Sequence, residues 1–242
     1  MKWLITTIVQ LLFTLFMYVV GIFVIGLAIF PGLLLCVKFV NLAAEYSLVW
    51  QILAFSLGIA AAYFIYGLCL IFIVGIVRIL FGLTLKEGEY PMASPGALKW
   101  ALVNSLVLVV ANTFMDFILI TPFINLFYRL MGAKLGKNVQ INSKFCADLS
   151  LLEIGDSAVI GGHATVIGHS FERGRLVLKK VKIGNRAVIG LNSVVLPGCQ
   201  IGDQAMLAAG TVLGKNTIIE PRTVYCGVPG MSLKERRKNK SN

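Results

Sequence analysis

Histidine occurs twice and acidic side chains only 11 times in the 242 residues, and charged residues of both signs make up 14% of the chain. A soluble globular domain carries about 25% charged residues, so an ordinary soluble fold is excluded. Disorder is excluded as well, because 57% of the residues are hydrophobic and the mean hydropathy is +0.84, whereas disordered chains are poor in apolar residues. The two histidines, His163 and His169, are too few for a three-imidazole zinc site with an open position. Cys36, Cys69, Cys146, Cys199 and Cys226 are too dispersed for a thiolate zinc motif. They read as free thiols of a reducing setting, and no metal is expected. Basic residues outnumber acidic ones, 22 to 11, but the basic half lacks the aromatic stacking platform of a nucleic-acid binder.

What charge there is sits unevenly. Residues 1–129 hold 6 basic and 4 acidic side chains, and residues 130–242 hold 16 and 7. The first 98 residues read as a transmembrane helical domain with spans at about 3–35 and 49–82, each longer than the roughly 20 residues needed to cross. The first run is too long for a signal peptide and has no small-residue cleavage site. Pro31 is expected to end or kink the first span. Gln51 and Arg78, near the ends of the second, are expected to reach for the interface. Residues 99–131 carry Asn104, Asn112, Asp116 and Pro122 within an apolar pattern. They read as a re-entrant or interfacial helix pair, or as a third crossing. Asp116 is either a site residue or a polar cap facing the partner helices. With two crossings, Lys2, Arg78, Lys86, Lys99 and Arg129 share a side with the basic C-terminal half, and only Lys38 lies opposite. Positive charge is retained on the cytoplasmic side. The expected location is therefore the cell (inner) membrane, multi-pass, with the C-terminal domain cytoplasmic.

From Leu135 a period of six replaces the helical pattern. Aliphatic side chains recur at Leu135 and Ile141, at Ile154, Ile160 and Val166, and then at Ile183, Ile189, Val195, Ile201, Leu207, Leu213 and Ile219. Small residues follow four positions later, among them Ala158, Ala164, Ser170, Ala187, Ser193, Cys199, Ala205, Thr211 and Thr217. A 3.6-residue helix does not keep this phase, whereas hexapeptide periods signal a parallel β-helix whose coils share one core. Residues 132–230 are assigned to it, and residues 231–242 form a polybasic tail suited to anionic lipid headgroups. The phase breaks between Val166 and Ile183 by five residues more than two repeats. This ejects the segment HSFERGRLVLKK, rooted at His169. Loops ejected from solenoids are where binding residues gather. His163 and His169, six apart, are expected to stack on one face in neighbouring turns. An imidazole suits proton abstraction near neutral pH.

These repeats resemble the hexapeptide-repeat acyltransferases, whose left-handed β-helices form trimers. The left hand and the homotrimer are implied by that resemblance alone. Over about residues 85–232, the segments YPMAS and LKW, LMGAKLGKNVQI, HSFERGRLVLKKVKIG and VVLPGCQIG are similar to the membrane-associated C-terminal domains of poly-lysine-synthetase-type nonribosomal peptide synthetases. The resemblance implies an integral membrane acyltransferase with no permanently bound cofactor. Its donor would be a thioester of coenzyme A or of a carrier protein, and its acceptor an amine or hydroxyl near the membrane. His169 matches the family's general base. Glu172 would orient it or hold an acceptor amine, and His163 is a second candidate. LAAGTVLGKN resembles the family's coenzyme segment and places Ala209 and Lys215 there, with Gly190 along the same groove and a backbone N–H near it for the oxyanion. GVPG resembles a family turn that an Arg commonly follows. Here Met231 follows it, leaving Arg236 or Arg237 as substitutes. Two other readings remain open: an amide-forming condensation domain served by a separate adenylation–carrier protein, and a non-catalytic trimeric membrane scaffold.

Overall fold

The computed structural model describes residues 2–233. The cationic tail with Arg236 and Arg237 lies outside the described residues, as does the side chain of Lys2. Five helices occupy the N-terminal half: α1 (Lys2–Ala43), α2 (Leu48–Leu80), α3 (Pro95–Thr113), α4 (Met115–Ile118) and α5 (Pro122–Leu130). Helices α1, α2 and α3 are each long and apolar enough to cross a membrane. Helices α1 and α2 form a hairpin that leaves Leu11, Phe16, Ile22, Phe23, Leu27, Leu53 and Ile59 exposed, an apolar surface of the extent that marks contact with a membrane or another protein. Pro31 does not end α1, which runs on to Ala43. Just beyond it, Gly32 lies so close to the Ala62 backbone of α2 that a Cβ would clash, and such packing supports proline inside membrane-type helices.

Gln51 and Arg78, near the two ends of α2, both bond to protein groups. Gln51 Nε2 donates to the carbonyls of Ala44 and Tyr46 at 3.1 and 3.0 Å, closing the α1–α2 turn. Arg78 donates through Nη1 to Leu130 O at 3.0 Å and through Nη2 to Thr84 Oγ1 at 2.9 Å. It thereby satisfies a carbonyl at the C-terminus of α5, where the macrodipole favours a cation. Helix α3 begins at Ser94, whose side chain accepts from Ala97 N at 3.3 Å, with Pro95 at the first helical position. Thr121 and Pro122 start α5 in the same way. Asp116 forms an ion pair with Lys144 at 2.6 Å, tying α4 to the first coil of the following domain.

That domain is a three-faced parallel coil. One face stacks Leu135, Ile154, Ile183, Ile201 and Ile219. The second stacks Ile141, Ile160, Ile189, Leu207 and Tyr225, and the third Cys146, Val166, Val195 and Leu213. Residues six apart therefore lie on successive faces of one turn, and stacked neighbours are three hexads apart, as in Ile183, Ile201 and Ile219. The aliphatics fill the axis. Ala158, Ala164, Ala187, Ser193, Cys199, Ala205 and Thr211 are fully buried at the corners. At the regular corners the chain turns through a left-handed residue between the aliphatic and its small residue, among them Asn138, Ser157, His163, Arg186, Asn192 and Asn216, with φ of 54–59°.

The interruption after Val166 is larger than the phase arithmetic implies. Val166 on the third face is followed directly by Ile183 on the first, so no hexad lies between them. The intervening residues form an antiparallel hairpin, His169–Glu172 against Arg175–Leu178. A third strand, Gly88–Pro91, adds to Arg175–Leu178 from the linker before α3. This small sheet, which no periodicity announces, clamps the start of α3 against the root of the hairpin.

Candidate active site

At that root, His169 Nδ1 lies 2.6 Å from Asp148 Oδ2. A carboxylate only accepts, so Nδ1 is the donor, and in the neutral ring Nε2 presents its lone pair. Asp148 follows the short third side of the first coil and adopts a left-handed conformation, φ 55° and ψ 42°. Its carboxylate has no solvent exposure. Burying a carboxylate is costly unless every lone pair is met, and here four donors meet it. Trp100 Nε1 and Asn104 Nδ2 reach Oδ1 at 2.7 and 3.0 Å. Gly168 N reaches Oδ2 at 2.9 Å, alongside the His169 ring. A Cβ at Gly168 would press on Asp148 Cβ, Leu151 and the Lys179 carbonyl, so glycine is what lets this backbone donor approach.

The imidazole is walled by aromatic edges. Trp100 lies 4.9 Å from it, centroid to centroid, and Phe171 5.8 Å, with Trp100 and Phe171 5.4 Å from each other. The His169 side chain is 21% exposed. A ring pinned on one nitrogen and open on the other is arranged to accept a proton from a bound hydroxyl or amine.

The remaining sequence candidates fall in other places. Glu172 turns away from His169. It accepts from Lys215 Nζ and from Ser170 Oγ, both at 2.7 Å, and the Lys215 ammonium holds its carboxyl below the usual carboxylate range. His163 is one of the exposed left-handed corner residues, its ring 5.7 Å from Phe145, on a different face from His169 and not stacked with it. Gly190 N donates to Leu207 O at 3.0 Å as part of the coil ladder, so this N–H is spent and cannot serve an oxyanion. Gly190 packs against Ala209, where a Cβ would clash with the Ala209 amide, so these two residues adjoin across neighbouring turns. Lys215 is engaged with the hairpin, through its ion pair with Glu172 at 2.7 Å. The GVPG turn contains a cis Val228–Pro229 bond, and Met231 begins a strand antiparallel to Val224–Cys226.

Cys146 and Cys199 do not compete as nucleophiles. Burial pushes Cys146 up to about 11 and raises Cys199, and a thiol that stays protonated attacks poorly.

Sequence reasoning missed Asp148 and the roles of Trp100 and Asn104. One signal was present: Ile154 follows Ile141 by one residue more than two hexads, and the extra length falls where the left-handed Asp148 leads into the 3-10 turn Leu149–Leu151. Trp100 lay within the LKW segment, and Asn104 stood out as a polar residue in an apolar helix, but neither could be aimed at His169 before the linker strand was known.

Residues 180–215 match the family model described as bacterial transferase hexapeptide (six repeats). Relatives of known name bear out the resemblance to the hexapeptide-repeat acyltransferases. YvoF of Bacillus subtilis (strain 168), provisionally named an acetyltransferase, is 34% identical over 103 residues, 40% of this chain and 60% of that protein. Galactoside O-acetyltransferase of Escherichia coli (strain K12) is 32% identical over 114 residues, 41% of this chain and 55% of that one. Delta-poly-L-ornithine synthetase of Acinetobacter baumannii (strain AB307-0294) is 23% identical over 215 residues, 85% of this chain and 15% of that protein. The chain thus spans 60% or less of the length of each of these relatives.

Proposed function

We propose that this chain is a membrane-anchored acyltransferase that moves an acyl group from a thioester to an amine or hydroxyl acceptor at the membrane surface. The observation that carries the reading is the His169–Asp148 pair, with Nδ1 held and Nε2 free at the root of the ejected hairpin. In the forward step, Nε2 takes the acceptor proton while the acceptor's lone pair attacks the thioester carbonyl. The tetrahedral intermediate then collapses, the thiolate leaves, and the imidazolium returns the proton to it. Helices α1 and α2 would cross the membrane, with α3 as a third crossing or an interfacial helix. The β-helix would be left-handed, trimeric and cytoplasmic, features taken from the resemblance.

Coenzyme A or a carrier phosphopantetheine would lie along Gly190 and Ala209. Lys215 would exchange Glu172 for a donor phosphate, since an ammonium binds phosphate well as a point charge. The oxyanion would need a donor other than Gly190 N, which the ladder uses.

A second reading, amide bond formation between aminoacyl units, is favoured by the reach of the poly-ornithine synthetase similarity, which covers 85% of this chain and so includes helical residues. Both readings use the same base and differ in the acceptor. Mass spectrometry of lipids and metabolites from cells carrying wild type or His169→Ala tests them together. An acylated lipid or polymer lost in the variant supports transfer, and a lost aminoacyl amide supports condensation. An unchanged profile with full cellular function would leave only a trimeric scaffold.

A further inference from the structure

Two of the four donors that satisfy Asp148 come from α3, an apolar helix of 19 residues, and neither belongs to the repeat domain. Trp100 Nε1 and Asn104 Nδ2 occupy Oδ1 at 2.7 and 3.0 Å, while Oδ2 is left to Gly168 N and His169 Nδ1 at 2.9 and 2.6 Å. Asn104 grips the same residue twice, because its Oδ1 accepts from the Asp148 backbone N–H at 3.3 Å. It thus also supports the left-handed turn that aims the carboxylate. Its amide is steadied in turn by the Trp100 carbonyl at 3.1 Å. The Trp100 indole then lies 4.9 Å from the His169 ring, walling the imidazole whose partner it holds.

We infer that Trp100 and Asn104 are positioning residues through which α3 governs the site: with α3 seated, Asp148 stays an ordered, fully paired carboxylate and His169 is held with its proton on Nδ1. The inference rests on the proposed role of His169 as base and adds the element that regulates it. A hydrogen bond is lost when its partners separate beyond about 3.5 Å, so a shift of α3 of about an ångström past the first coil uncouples Oδ1. The carboxylate then turns toward other donors, because a buried carboxylate with two open lone-pair sites is strongly disfavoured. That turn releases Nδ1. The helix packs against α1 and α2 on one side and presents Asn104 to the coil on the other, so displacement within the helical layer reaches the imidazole directly.

Because the chain has only two histidines, the ring proton can be read by nitrogen NMR of histidine-labelled full-length protein in lipid nanodiscs, at a pH where the rings are neutral. His163→Gln identifies the His169 signal. Wild type is expected to show His169 as one tautomer, protonated on Nδ1. Asn104→Leu and Trp100→Phe are expected to lose that single-tautomer signature and gain the form protonated on Nε2. Trp100→Phe keeps an aromatic ring and removes the donor, so it carries the test if Asn104→Leu fails to fold. Asp148→Asn is the control for the pair itself. If it loses the signature while both α3 variants keep it, the α3 inference is overturned and the general-base reading survives. If Asp148→Asn also keeps the signature, both fall.

Discussion

Replacing Asp148 by asparagine tests the site most sharply, because the outcome follows from counting donors. Each carboxylate oxygen accepts two hydrogen bonds, from Trp100 and Asn104 on Oδ1 and from Gly168 N and His169 Nδ1 on Oδ2. An asparagine must place its NH2 against one of those pairs. Facing α3, it would oppose two donors: the Trp100 indole, which cannot turn round, and the Asn104 amide, which can turn only by losing its bonds to the Asp148 N–H and the Trp100 carbonyl. Facing Gly168 and His169, it opposes only one, because an imidazole can change tautomer and accept. The second orientation loses fewer bonds and moves the ring proton to Nε2, where it blocks the base. General-base assistance is worth roughly 10²–10⁴-fold, so turnover should fall by about that factor while the fold survives. The assay is release of free thiol from acetyl-CoA by protein in nanodiscs, with an amphiphilic primary amine or alcohol as acceptor. A folded Asp148→Asn protein that turns over at the wild-type rate would refute the reasoning.

Other consequences are checked separately. Trp100→Phe removes a hydrogen bond to a buried carboxylate and should cost about 1.5–3 kcal/mol, measured by denaturant unfolding of the nanodisc-embedded protein. Gly67 lies under the Phe114 ring, where even a Cβ would overlap it. Gly67→Leu overpacks the contact and should destabilise the helical layer by about 1–3 kcal/mol, seen as a lower thermal midpoint. The carboxyl of Glu172 is held below its usual range chiefly by Lys215, so the Glu172–Lys215 pair persists above the unfolded carboxylate value and breaks only as pH falls through the depressed folded value. Glu172→Gln should accordingly free Lys215 and lower the KM for acetyl-CoA near neutral pH, with the difference from wild type shrinking in acid. Cys146, pushed up to about 11 by burial, and Cys199, also raised, should resist alkylation at pH 8 until the protein is unfolded, as read by mass mapping of the labelled thiols.

How much of this was legible in the sequence depends on distance along the chain. The coil was readable because each aliphatic is placed by its own neighbours six positions away, and the three stacked faces follow the register from Leu135 to Ile219. The helical half was legible for the same local reason, since apolar runs of this length have few alternatives. Chemistry near His169 was half legible: the broken phase pointed to the imidazole but not to its partner. The partner depends on a strand, Gly88–Pro91, that pairs with Arg175–Leu178 far down the chain and carries α3 into place. Such pairing leaves no period to read. Arg78 shows the same limit. Its charge near a helix end suggested the membrane interface, and nothing local announced the carbonyl of α5 to which it donates. Lys215 and Glu172 were singled out from separate segments, and only the folded hairpin brings them to 2.7 Å.

An experimental structure of the full-length protein in nanodiscs with a non-hydrolysable thioether analogue of acetyl-CoA tests the central claim most directly. The account predicts the analogue's acetyl group beside the free Nε2 of His169, leaving room for an acceptor atom about 2.6–3.2 Å from that nitrogen, with Asp148 still bonded to Nδ1. An analogue bound away from the hairpin root, or a His169 ring parted from Asp148 in the occupied site, would contradict it.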